Sequence, residues 1–173
     1  QQAISRLPQQ VQQQGLVVRK SNPDFLLIVG VFDETDRLMR AMQAKLPEYF
    51  NTLPKAPLVV KRVEAFREKS AGKAFYQRPT EDGSRPGTYY VNLYDMKAMP
   101  RTEVAALAFH EGVPGHHLQL AVSTELKDVP AFRKYGGFTA YSEGWGLYSE
   151  KLAKDMPGAR SPRSVRRTCS KQL

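Results

Sequence analysis

The chain has a single cysteine, Cys169, so no internal disulfide can form and a disulfide-stapled scaffold is excluded. It also lacks any run of eighteen or more apolar residues. The most apolar stretch, Phe25 to Phe32, is far too short to cross a bilayer, so no membrane span is expected. The opening Gln1-Gln2-Ala3 carries no Met, no basic n-region and no apolar h-region, so any targeting segment is expected to be cut away or to lie outside the chain. Of the compartments, the periplasm or cell envelope is favoured over the cytoplasm. No repeat recurs at any period.

Acidic residues are scarce beside basic ones, with 17 against 26 and a net charge of +9. The excess is uneven. Residues 157–173 hold Arg160, Arg163, Arg166, Arg167 and Lys171 with no acid, which is +5 and leaves +4 for the other 156 residues. Basic and acidic side chains alternate through that body, without a basic stripe interleaved with aromatics, so nucleic acid is not an expected partner. A rival reading, binding to nucleic acid through the basic tail, would require affinity that falls steeply with salt. The Arg, Ser and Pro of 157–173 suit a disordered or non-native tail better than a packed helix.

What is present suffices for one domain: 173 residues, 41% hydrophobic and 10% aromatic, can bury a core. Residues 1–15 carry a weak helical pattern ending at Gly15. Residues 17–31 read as two short strands or as a strand and a buried helix start, around a Ser21-Asn22-Pro23-Asp24 turn. From Asp33 to Phe50, Leu38, Met39, Met42, Leu46 and Phe50 recur at three- and four-residue spacing, which predicts an amphipathic helix. Leu58-Val59-Val60 with Val63 predicts a strand or extended edge, followed by a mixed polar segment through Lys73. Pro79 to Gly87 predicts a loop, and Thr88 to Leu93 a strand behind it. Helices are expected from Pro100–Thr102 to His110, from His116 toward Leu126, and from Thr139 to Asp155, with breaks at Val129-Pro130 and Gly136-Gly137.

The three histidines, His110, His116 and His117, all fall within eight residues, in His110-Glu111-Gly112-Val113-Pro114-Gly115-His116-His117. Two histidines and a carboxylate are a common ligand set for catalytic zinc, which keeps a fourth position for water. A neighbouring glutamate, here Glu111, is placed to take a proton from that water. The usual His-Glu-x-x-His pattern puts its histidines one helical turn apart. Here His110 and His116 would lie about 9 Å apart along a straight helix, and His110 and His117 about 10.5 Å, so neither pair could share an ion there. Pro114 removes a backbone donor and disfavours helix at Val113, while Gly115 permits unusual dihedrals, so the helix is expected to break. The break can return His116 toward His110.

The third ligand is expected on a later helix. Glu143 and Glu150 are seven residues apart and share a face, so one can ligate while the other supports. Glu143 is the preferred ligand and Glu150 the partner that orients a histidine. His117 is expected to support the site or face substrate rather than to ligate. Tyr90-Val91-Asn92 could pair with an extended peptide or be an ordinary strand. Arg85 reads as a solvated loop charge, and Trp145 and Tyr148 as packing residues.

Three stretches, 87–92, 110–119 and 143–150, together resemble the bacterial domain-of-unknown-function 885 family over about residues 46–156. In that family's motif the histidine after the glycine is the fixed one, which implies His116 rather than His117. The resemblance implies a zinc metallopeptidase with a mainly α, zincin-like fold and a small β element. It also implies that residues 1–156 are part of a catalytic domain that is several times longer in other members. The function expected is zinc-dependent hydrolysis of a peptide substrate. The alternative is a catalytically inactive metal-binding or envelope interaction protein.

Overall fold

The computed structural model describes residues 25–95 and 99–156. The expected helix over 1–15, the turn at 21–24 and the basic tail 157–173 lie outside the described residues. Among those described, the order is α1 (Phe25–Tyr49), β1 (Leu58–Arg62), β2 (Ala74–Gln77), β3 (Gly87–Val91), α2 (Arg101–Glu111), α3 (His116–Glu125), α4 (Ala131–Tyr135) and α5 (Thr139–Asp155). The fold is mainly α with a small three-stranded sheet.

Helix α1 follows the predicted spacing: Leu38, Met39, Met42 and Leu46 are buried, and Val31, Phe32 and Thr35 extend the stripe upstream. Each such apolar side chain contributes about 1.5–3 kcal/mol when removed from water. The helix begins at Phe25, so residues 25–31, read as part of a strand or a buried helix start, are helical. The polar flank is held by short-range ion pairs, Arg37 with Glu34 and Arg40 with Asp36.

The sheet order is β1-β3-β2, with β3 parallel to β1 and antiparallel to β2. All five residues of β3 are buried, as befits a central strand, whereas β2 is half-buried along its length. Strand β2 pairs Ala74 with Val91 and Gln77 with Thr88. Its signal in the sequence is short, the adjacent aromatics Phe75 and Tyr76 between Gly72 and Pro79, and its four residues are too few to show an alternation. Tyr89 and Val91 join Val60 in the core with Val104, Ala105, Ala108 and Phe109 of α2. On the opposite face Phe75 stacks on Tyr90 at 4.8 Å, with the Arg67 guanidinium over both rings at 5.0 and 5.1 Å.

Helix α2 is the central helix, packed between α1 and α5 and against β2. Helix α3 packs against β3 and α5. The short α4 stands between the two predicted breaks, with Pro130 at its N-cap and Gly136 at its C-cap. It is tied to the 78–86 loop by an Arg78 hydrogen bond to the Lys134 carbonyl at 2.9 Å and by the Lys134–Glu81 ion pair. Arg85 donates to the Arg78 carbonyl within that loop at 3.2 Å.

Candidate metal centre

Helix α2 stops at Glu111 and α3 starts at His116, so the two histidines stand on separate helices joined by Gly112–Gly115. The Val113–Pro114 peptide bond in this turn is cis. Backbone hydrogen bonds close the turn at both ends, from Gly112 N to Ala108 O at 2.9 Å and from His117 N to Gly112 O at 3.0 Å. Gly115 presses on the carbonyls of Phe109 and His110, where a Cβ would overlap them both. Only glycine lets the chain fold back so closely on the end of α2. The rings of His110 and His116 then lie edge to face, with centroids 4.8 Å apart.

Glu143, in the first turns of α5, completes the group. One ligand atom from each of His110, His116 and Glu143 lies within 4.8 Å of the others. Glu143 Oε2 is 3.2 Å from His110 Nε2, and Oε1 is 3.6 Å from His116 Nε2. The site is half open: the histidine side chains are 14% and 8% exposed, while that of Glu143 is 52% exposed. Water therefore reaches the carboxylate side while the imidazoles are held by the core.

Each imidazole is oriented by a second side chain. His110 Nδ1 meets Glu150 Oε1 at 2.8 Å, which makes Nδ1 the protonated nitrogen and leaves Nε2 directed at Glu143. Its two acidic neighbours sit on one face of α5, two turns apart. Gly146 between them lies flat against the imidazole, where a Cβ would stand 2.5 Å from Nε2 and 2.8 Å from Nδ1. His116 Nδ1 is 3.4 Å from Gln119 Oε1, one turn along α3. Gln119 was not anticipated from the sequence, although its spacing of three from His116 is the available signal.

His117 points elsewhere. Its Nδ1 lies 2.9 Å from the Tyr76 hydroxyl on β2, and its ring also bonds the Ala56 backbone. Burial keeps the Tyr76 phenol protonated, so the hydroxyl donates to Nδ1 and the other ring nitrogen donates to the backbone carbonyl. With both nitrogens engaged, His117 anchors α3 to the sheet.

Tyr90 and Asn92 are not brought to the cluster. Strand β3 is hydrogen-bonded on both edges, so its backbone has no free edge for an extended peptide. Asn92 instead caps the preceding turn, donating to the carbonyls of Glu68, Ala71 and Gly72 at 2.7, 3.1 and 3.1 Å. Tyr90 reaches Gln77 at 3.4 Å and stacks on Phe75. Of the two readings left open, an edge for an extended peptide and an ordinary strand, β3 is the ordinary central strand.

The electrostatics follow from burial and crowding. Glu111, only 7% exposed at the end of α2, has its carboxyl pushed up to about 7 by burial, with Glu143 and Glu150 adding repulsion. Burial pulls His110 down, but the hydrogen bond to Glu150 and the nearby carboxylates outweigh it, so its affinity for a proton is raised. Burial and the neighbouring His110 lower His116, and burial lowers His117 to about 4.

The family model for "Bacterial protein of unknown function (DUF885)" matches residues 22–167, and the chain belongs to that family. The match extends beyond the 46–156 recognisable from motifs. A crystal structure described as a "putative lipoprotein" from Colwellia psychrerythraea is similar at 35% identity and a TM-score of 0.70. The similarity covers 73% of this chain and 22% of that one, so this chain spans well under a third of its relative's length. No curated protein matches.

Proposed function

We propose that the chain carries the metal and proton-transfer half of a zinc-dependent, zincin-like peptidase. The reading rests on one observation: two imidazoles and a carboxylate from three helices offer ligand atoms within 4.8 Å of one another. The donor set is that of catalytic zinc, in which His110, His116 and Glu143 would hold the ion. Its orientation supports the same reading, because Glu150 and Gln119 turn the ring nitrogens of the two histidines inward.

Bound zinc would polarise the scissile carbonyl and make water acidic enough to lose a proton near neutral pH. Glu111 does the proton work. It is buried, within electrostatic reach of His110 and Glu143, and accepts a proton from the attacking water. The same carboxyl then returns that proton to the leaving amine, so the residue ends the cycle ionised as it began. The open side at Glu143 is where a peptide would approach. A periplasmic or envelope location is supported by the description of the Colwellia relative. No helix among the described residues is long and apolar enough to cross a membrane.

Elemental analysis of the purified parent beside His110→Ala and Glu111→Gln tests the reading, with hydrolysis of a peptide mixture followed by mass spectrometry. The first variant should lose zinc; the second should keep zinc and lose hydrolysis. A His110→Ala protein holding as much zinc as the parent would remove the ligand assignment. Zinc bound by the parent without hydrolysis of any peptide would favour the inactive metal-binding alternative.

A further inference from the structure

Trp145 is the single tryptophan of the chain. Its indole Nε1 donates to two successive carbonyls of the histidine turn, Pro114 O at 2.9 Å and Gly115 O at 3.2 Å. The residue after Gly115 is His116, and the residue two before Trp145 is Glu143. One N–H group therefore spans the gap between the carboxylate helix and the turn that delivers the second histidine. We infer that Trp145 is a positioning residue of the metal centre, setting the separation of Glu143 from His116 through its indole N–H. This inference rests on the proposed metal reading.

Apolar packing accounts for the body of the ring, which sits against Phe50 at 6.4 Å and Tyr148 at 5.7 Å. Packing does not account for the direction of its polar edge. Glu143 and His116 are 3.6 Å apart on different helices, and that distance depends on how α5 sits over the turn. The other described hydrogen bond from α3 to the start of α5 is long, Gln119 to the Tyr141 carbonyl at 3.4 Å. Gly146 sets how closely α5 approaches His110, because it has no side chain to hold the ring away. It cannot set the approach to His116, which lies beyond the turn. The indole bond supplies that second constraint, and the two successive carbonyls it donates to fix the turn along α5 as well as across it.

The test separates the N–H from the ring. Trp145 is replaced by 3-benzothienylalanine, which keeps the bicyclic shape with sulfur in place of N–H, and by Phe. Phe50→Leu serves as the control, removing an aromatic neighbour while leaving the indole bond. Zinc affinity is measured by competition with a chromophoric chelator, and thermal stability by circular dichroism of the metal-free protein. The sulfur isostere and Trp145→Phe should both bind zinc about 10- to 100-fold more weakly, the range for groups that orient metal ligands. Phe50→Leu should lose thermal stability with parental zinc affinity. An isostere that binds zinc as tightly as the parent overturns the inference, and so does Phe50→Leu weakening zinc as much as the isostere. Failure of the metal reading is a separate result, seen when His110→Ala retains the parent's zinc.

Discussion

Gly146 and Gly144 lie two residues apart on the same helix, yet Gly146→Ala and Gly144→Ala should behave oppositely. A Cβ on Gly144 meets nothing within 4 Å, whereas one on Gly146 would stand 2.5 Å from His110 Nε2 and 2.8 Å from Nδ1. Ordinary carbon contacts are about 3.5–4.0 Å, so α5 or the ring would have to move by about 1 Å. Ala gains about 1 kcal/mol over Gly inside a helix, which is the whole expected effect at position 144. At position 146 that gain is set against overpacking worth about 1–3 kcal/mol, leaving a net loss of up to about 2 kcal/mol. The consequence for metal is larger than for folding. A movement of that size takes Nε2 away from Glu143 and strains the 2.8 Å bond to Glu150, while metal–ligand distances tolerate only about 0.2 Å. Zinc affinity should fall about 100-fold or more in Gly146→Ala and stay unchanged in Gly144→Ala. Chelator competition and thermal melts of the metal-free proteins measure the two effects. If Gly146→Ala holds zinc as the parent does and melts higher, as Gly144→Ala should, then the close contact with His110 does not exist in solution.

Two further outcomes follow from groups around the site. Glu150→Gln keeps an oxygen able to accept from His110 Nδ1 but removes the charge, and zinc should bind about tenfold more weakly by the same competition assay. His117 governs acid stability of the metal-free protein. Its ring takes a proton near 6.5 in the unfolded chain but only near 4 when folded, because it is buried, so the unfolded state binds more protons between those values. Stability should therefore fall as pH drops from about 6.5 to about 4, by about 3 kcal/mol. Glu111 acts in the opposite sense from about 4.5 to about 7, its buried carboxyl favouring the folded state at the acid end. Urea midpoints against pH for the parent and for His117→Gln isolate the histidine. An equal slope in both would refute the assignment.

The sequence carries its local periodicities openly and its tertiary relations poorly, and the site divides along that line. Glu143 and Glu150 share a face of α5 by helical period alone, so it was legible that one could join the histidines while the other supports; which does which follows from where α5 lies against His110. The helix break at Pro114 and Gly115 was equally legible, since both residues act on the backbone they belong to. The sheet was legible only in part: β1 and β3 have β-branched and aromatic runs, whereas β2 offers only Phe75 and Tyr76 and is completed by pairing with β3. The choice for Tyr90-Val91-Asn92 between an edge for peptide and an ordinary strand stayed open for the same reason. Whether a strand offers an edge to a peptide depends on its neighbours, and β2 covers the edge that the sequence left open.

The choice between His116 and His117 shows most clearly where sequence reasoning stops. Adjacent residues on a helix point about 100° apart, so one of the pair must face away from any site the other joins. Which one does so is decided by the sheet beneath α3. Tyr76 on β2 and the backbone at Ala56 take both nitrogens of His117, and Gly87 leaves room for that ring where a Cβ would overlap it. That engagement sets the rotation of α3 about its axis, and the same rotation turns His116 toward His110 and Glu143. The cluster is thus aimed by a histidine that is not part of it, held by two residues forty and more positions upstream.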